Sequence, residues 1–143
     1  MNMTASQLIK ESIKDVQDIL NMINSDLIGL SNETYNWKAN SESWSILECI
    51  EHLNIYSSYY NLALKNAIQK ATNTTPKDAY KSGWFGKMSI NMMKPDNKKK
   101  QKAIAKFNPV NSSLNTSVLD NFIQNQEDFY EHQSIRNMAT MME

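Results

Sequence analysis

Apolar residues recur at steps of three and four along the first segment of the chain, which predicts a long amphipathic helix. The stripe comprises Leu8, Ile9, Ile13, Val16, Ile19, Leu20, Ile23 and Leu27. Thr4 or Ser6 can cap the start of this helix, and Gly29 stands where it would end. The pattern therefore predicts a helix of about 25 residues.

A second long helix is predicted from a capping signal. Ser45 and Glu48 have the spacing of a capping box, in which each side chain accepts a hydrogen bond from a free backbone N–H of the first turn. The helix should begin near Trp44 and continue to about residue 70. Its stripe comprises Ile46, Ile50, Leu53, Tyr60, Leu64 and Ile68. The preceding run SNETYNWKANSES interrupts the pattern and predicts a connecting loop that carries Trp37.

The middle of the chain, about residues 71–115, is irregular. It contains all three prolines and two of the three glycines. Within it, YKSGWFGKMSINMM favours a short helix whose large apolar side chains pack over the end of a bundle. These side chains are Trp84, Phe85, Met88 and Met92.

A third long helix is predicted after Pro109, with Asn115, Thr116 or Ser117 as its cap. Its stripe comprises Val118, Leu119, Phe122, Ile123, Phe129 and Tyr130. Beyond about Ser134 the pattern fades into a tail without a terminator.

Three long helices and no strand pattern indicate an all-α, up-down helical bundle. At 143 residues the chain fits one domain, 1–143. An antiparallel bundle of three helices can be stable, although four is the more common number.

Composition narrows the classes of partner and compartment. Lys+Arg and Asp+Glu are equal at 15 each, which gives no global reason to expect nucleic acid or an anionic membrane. The lysine-rich run KPDNKKKQKAIAK lacks arginine and interleaved aromatics, so a solvated loop is favoured over a nucleic-acid contact. The single cysteine excludes an internal disulfide, and neither a signal peptide nor a membrane span is predicted. We expect a cytoplasmic protein.

His52 is the first candidate for site chemistry. It lies on one helix face with Cys49 and Tyr56, bordering the apolar stripe. Imidazole is a good ligand for Zn²⁺, Fe or Ni²⁺, and bundle interiors commonly hold metals. A structural histidine at the edge of a buried face explains the same spacing.

Other candidates also have two interpretations. Asp128 and His132 stand at i and i+4, so they could contact one ion or one another, or form an exposed pair on a helix face. Cys49 could be a nucleophile or a small buried apolar residue. Since the chain has only two histidines, a metal site would also need a carboxylate or another subunit.

The run NWKANSESWSILECIEHLNIYSSYY resembles the DinB-like superfamily of bacterial four-helix-bundle proteins. Six positions match that pattern: Trp44, Ser45, Ile46, Glu51, His52 and Leu53. The runs SGWFGKMSINMMKP, FNPV and FIQNQEDFYEH follow in the order that the family shows, so the resemblance covers most of the chain.

The resemblance implies that His52 is the first ligand of a divalent nickel, zinc or iron ion. In the family the other two ligands come from a His-x-x-x-His pair on the fourth helix. Here His132 falls in the part resembling the third helix, position 136 is Arg136, and the chain ends before a fourth helix could begin. The resemblance therefore implies a fourth helix that is missing or degenerate here. A truncation, a loss of metal chemistry, or completion of the bundle by another chain in a homodimer would each explain this.

The resemblance also implies a function. We expect a metal-dependent hydrolase or thiol transferase with a small-molecule substrate and an incomplete metal site. The alternative is a non-catalytic helical interaction or stress-associated protein that keeps only the fold.

Overall fold

The computed structural model describes residues 4–70, 83–94, 96–99 and 103–141, and side chains as far as residue 134 except that of Ala5. The described part contains five α-helices and no strand. They are α1 (Ala5–Met22), α2 (Asn32–Asn36), α3 (Ile46–Lys70), α4 (Trp84–Met93) and α5 (Ser117–Met141). The all-α prediction is therefore confirmed for these residues. Residues 71–82, 95 and 100–102 of the predicted irregular connection lie outside the described part.

The start of α1 is fixed by the predicted cap. Thr4 Oγ1 accepts from Gln7 N at 3.1 Å, and Thr4 N donates to Gln7 Oε1 at 2.9 Å. The helix then widens into a π-helical segment, Ile23–Leu27, which the apolar spacing did not predict. The helical segment ends at Leu27, and Gly29 follows in the turn with a φ of 92°, which glycine adopts without the steric penalty of a Cβ. The predicted extent of this first helical segment is confirmed.

The segment before α3 is partly helical, so the prediction of a continuous loop over SNETYNWKANSES is wrong. Ser31 Oγ accepts from Thr34 N at 3.2 Å and caps the short helix α2. Tyr35 is buried on this helix, and its hydroxyl donates to Leu27 O at 2.6 Å. The polar composition of this segment gave no apolar stripe that would predict a helix, because the one buried side chain of α2 is Tyr35.

The core lies where the end of the first helical segment, α2 and the starts of α3 and α5 meet. Its buried members are Ile23, Tyr35, Leu47, Ile50, Val118, Leu119 and Phe122. Helix α5 packs mainly against α3 and also contacts α1. Two residues of the predicted α3 stripe, Leu53 and Tyr60, are 45% and 61% exposed, so that part of the stripe is not core.

Farther along, α3 and α5 meet through asparagines. Asn54 Nδ2 donates to Val118 O at 2.9 Å, and Asn54 Oδ1 accepts from Asn125 Nδ2 at 3.2 Å. About two turns farther along α3, Asn61 Nδ2 donates to Asn125 O at 2.8 Å. Because Asn54 and Asn61 are both buried, these bonds fix the register of the two helices.

Helix α4 does not cover the end of the bundle, which corrects the packing prediction for Trp84, Phe85, Met88 and Met92. Every residue of α4 is exposed, with Trp84 at 70% and Phe85 at 72%. The apolar content of this stretch was clear in the sequence. Apolar composition alone does not show whether a neighbouring element covers these side chains, and here none of the described elements does.

Helix α5 also extends beyond the predicted fading point near Ser134, to Met141. No glycine or proline follows Ser117, so nothing in the backbone chemistry stops the helix where the apolar pattern ends. Among the described residues, no helix combines the length and the apolar character needed to cross a membrane.

Candidate functional site

The side chain of His52 is oriented by a backbone carbonyl. Its Nδ1 lies 2.7 Å from the oxygen of Phe107, at the end of the short 3-10 helix Ala105–Phe107. A carbonyl oxygen can only accept, so this contact assigns the proton of the neutral ring to Nδ1. Nε2 then keeps its lone pair.

Aromatic rings hold the imidazole on several sides. The ring centroid of His52 lies 4.8 Å from that of Trp44 and 4.9 Å from that of Tyr56, which stands one helical turn farther along α3. The Tyr56 ring in turn lies 4.5 Å from that of Phe107. The hydrogen bond and the rings together restrict rotation of the imidazole.

Glu48 anchors the start of α3 next to this cluster. Its side chain accepts from Ser45 N at 2.9 Å and from Lys38 Nζ at 2.7 Å, while Ser45 Oγ accepts from Glu48 N at 3.2 Å. The predicted capping box is confirmed. Glu48 Oε1 also accepts from Asn111 N at 2.7 Å, where Asn111 adopts a left-handed φ of 61°.

This carboxylate is almost fully buried, at 2% exposure. Burial by itself raises the pKa of Glu48, but the hydrogen bonds from Lys38, Ser45 and Asn111 stabilise the charged form and together hold the pKa below its ordinary value. Glu48 is therefore an ionised structural group that ties Lys38 and the 108–112 segment to α3. Sequence reasoning found its cap but had no signal for the other two partners.

The structure does not assemble the sequence-predicted residues into a metal centre. Among the described residues, no three His, Cys, Asp or Glu side chains form a group that could hold an ion, so His52, Asp128 and His132 are not brought together as ligands. Asp128 Oδ1 instead accepts from Gln124 Nε2 at 3.0 Å on its own helix.

Cys49 does not have the environment of an activated nucleophile. Partial burial, followed by the nearby Glu48 carboxylate, raises the pKa of its thiol above the ordinary value. A raised pKa lowers the thiolate fraction at neutral pH, whereas a reactive cysteine needs the opposite shift. Cys49 is also exposed, so the interpretation as a small buried apolar residue is wrong.

A pocket of about 570 Å³ lies between α2 and α3, and Trp44 is one of its lining residues. Sequence analysis did not find it, since its walls come from the segment interpreted as a loop and from the start of α3. Its lining residues include Glu33, Trp37, Trp44, Ile46, Cys49 and Ile50. The sequence analysis placed Trp37 in that loop without a partner, and the structure shows the side chain exposed.

Comparison with known proteins gives no match: no family model, no curated protein and no solved structure is similar to this chain.

Proposed function

We propose that the chain is a DinB-like helical-bundle protein in which His52 is a ligand for divalent nickel, zinc or iron through Nε2. The observation that carries this proposal is the 2.7 Å contact between His52 Nδ1 and the Phe107 carbonyl. Histidines that bind metals commonly donate their second N–H to a carbonyl or carboxylate, which fixes the tautomer and the ring orientation. The associated activity, by resemblance, is that of a hydrolase or thiol transferase acting on a small molecule.

One imidazole does not make a metal centre. The described residues alone do not fit the three protein ligands of a hydrolytic site, and no catalytic step follows from them. The proposal therefore requires further ligands from outside the described residues or from a second copy of the chain.

A homodimer is part of this proposal. Tyr59, Tyr60 and Leu62 on α3 are 57%, 61% and 62% exposed, and such apolar surface is commonly covered by association. Sedimentation at micromolar concentration should show a dimer. A folded monomer under those conditions would contradict this part.

The second candidate is a non-catalytic helical protein that keeps only the fold. The contacts of His52 also favour it, because a histidine that bridges α3 to Phe107 within an aromatic cluster has a complete structural role. In this case Nε2 of His52 does not bind a metal ion.

Metal analysis of three proteins separates the candidates. His52→Asn places an amide N–H near the position of Nδ1, so it can keep the bond to Phe107 while removing Nε2. His132→Asn is the matched control at the other histidine. The metal proposal predicts stoichiometric nickel, zinc or iron in the wild type and in His132→Asn, and its loss in His52→Asn. Metal-free wild-type protein after incubation with each ion would favour the structural role.

A further inference from the structure

We propose that the pocket between α2 and α3 binds a small organic cation with an apolar body, such as a quaternary ammonium compound. The pocket measures about 570 Å³, within the usual range for small-molecule sites. This inference does not depend on the function proposed for His52.

Two tryptophans supply the aromatic surface. Trp37 and Trp44 both line the pocket, and Trp37 is 67% exposed. Leaving a large ring in water is unfavourable, whereas the face of an indole attracts a cation more strongly than that of any other side chain. Ile46 and Ile50 complete an apolar wall suited to the uncharged body of such a ligand.

The charged side chain that lines the pocket is negative. Glu33 lines the pocket, and none of its lining residues in the described part of the chain is a lysine or arginine. The nearest lysine in sequence, Lys38, does not line the pocket, and its charge is paired with the Glu48 carboxylate at 2.7 Å. A carboxylate and two indoles that line the same pocket favour a cation over a neutral or anionic ligand of the same shape.

The capping box at the start of α3 weakens the competing attraction for an anion. Free N–H groups at a helix N-terminus attract anions. Here the N–H of Ser45 donates to Glu48 Oε2 at 2.9 Å, and the N–H of Glu48 donates to Ser45 Oγ at 3.2 Å. The capping box therefore occupies two of the amides at this helix start, and the Glu48 charge within it is paired with Lys38.

Three probes with a common benzyl group test the proposal: benzyltrimethylammonium, benzyl alcohol and benzylsulfonate. Titrations are followed through the indole N–H signals of the protein in ¹H–¹⁵N spectra. The chain has three tryptophans, so Trp84 on exposed α4 is an internal control. The cation should shift the signals of Trp37 and Trp44 saturably and leave that of Trp84 unchanged. It should bind about fivefold or more tightly than the alcohol, and the sulfonate should bind most weakly.

Variants assign the effect to the pocket. Glu33→Gln should weaken binding of the cation about fivefold and leave binding of the alcohol unchanged, and Trp37→Ala should weaken it about tenfold. Glu42→Gln and Trp84→Ala, at exposed positions outside the lining, should bind like the wild type. Because Glu33 and Trp37 are exposed, their substitution should leave the fold intact, which circular dichroism checks. Equal binding of the three probes, no saturable shift, or equal effects of Trp37→Ala and Trp84→Ala would overturn the proposal.

Discussion

His52 Nδ1 and the carbonyl oxygen of Phe107 lie 2.7 Å apart, although the two residues are separated by 55 positions in the chain. The bond joins α3 to the 3-10 helix before α5. The Tyr56 ring packs against the imidazole of His52 and against the ring of Phe107. This one contact fixes the imidazole tautomer and also links two distant segments of the fold.

The first prediction concerns the strength of that link. His52→Ala removes the hydrogen bond and two ring contacts, so the free energy of unfolding should fall by about 2 kcal/mol. His52→Asn keeps a donor near Nδ1 and should lose less. Urea unfolding of both variants measures the difference, and equal losses would show that the bond to Phe107 contributes nothing.

The second prediction concerns the pH dependence of stability through Glu48. Its pKa is lower in the folded protein than the ordinary value of 4.5, so ionised Glu48 stabilises the fold above about pH 4.5. That contribution is lost as the pH falls through the lower, folded-state pKa. Glu48→Gln should cost about 2 kcal/mol at neutral pH, because Lys38 loses its ionic partner.

The comparison is made by urea unfolding at about pH 6 and about pH 3. The wild type should lose more stability over this interval than Glu48→Gln, so the gap between them should narrow in acid. Glu42→Gln, at an exposed position, should follow the wild type. A constant gap at both pH values would contradict the assignment.

The third prediction concerns the contact between α3 and α5. Asn54→Asp keeps the shape of the side chain but replaces the donor, 2.9 Å from Val118 O, with a carboxylate oxygen. Two buried acceptors would then face one another, which should lower the free energy of unfolding by about 3 kcal/mol at neutral pH.

Asn66→Asp is the matched control, at an exposed position of the same helix. It should change stability by less than about 0.5 kcal/mol. Thermal unfolding under identical conditions compares the two, and similar melting temperatures would show that Asn54 does not fix the helix register.

Local signals predicted the parts of the fold that depend on neighbouring residues. The capping box of Ser45 and Glu48 fixed the start of α3, and Gly29 marked the end of the first helical segment. Both act within a few residues, so spacing in the sequence reveals them.

Contacts between distant residues could not be predicted in this way. Phe107 meets His52 through its backbone carbonyl, which every residue possesses, and Asn111 meets Glu48 through its backbone N–H. The same limit applies to the pocket, which Trp37 from one segment and Cys49 from another both line. A sequence motif specifies the types and spacing of side chains, whereas these two hydrogen bonds and the pocket depend on the path of the backbone in three dimensions.

The most direct test of the central claim is the state of the His52 ring nitrogens in a long-range ¹H–¹⁵N spectrum, at about pH 8, where an ordinary imidazole is neutral. The chain has two histidines, so a His132→Gln variant assigns the signals. We predict a proton on Nδ1, a free lone pair on Nε2, and a large shift of Nε2 when Zn²⁺ is added. A proton on Nε2, or an Nε2 signal unchanged by Zn²⁺, would contradict the assignment of His52 as a metal ligand.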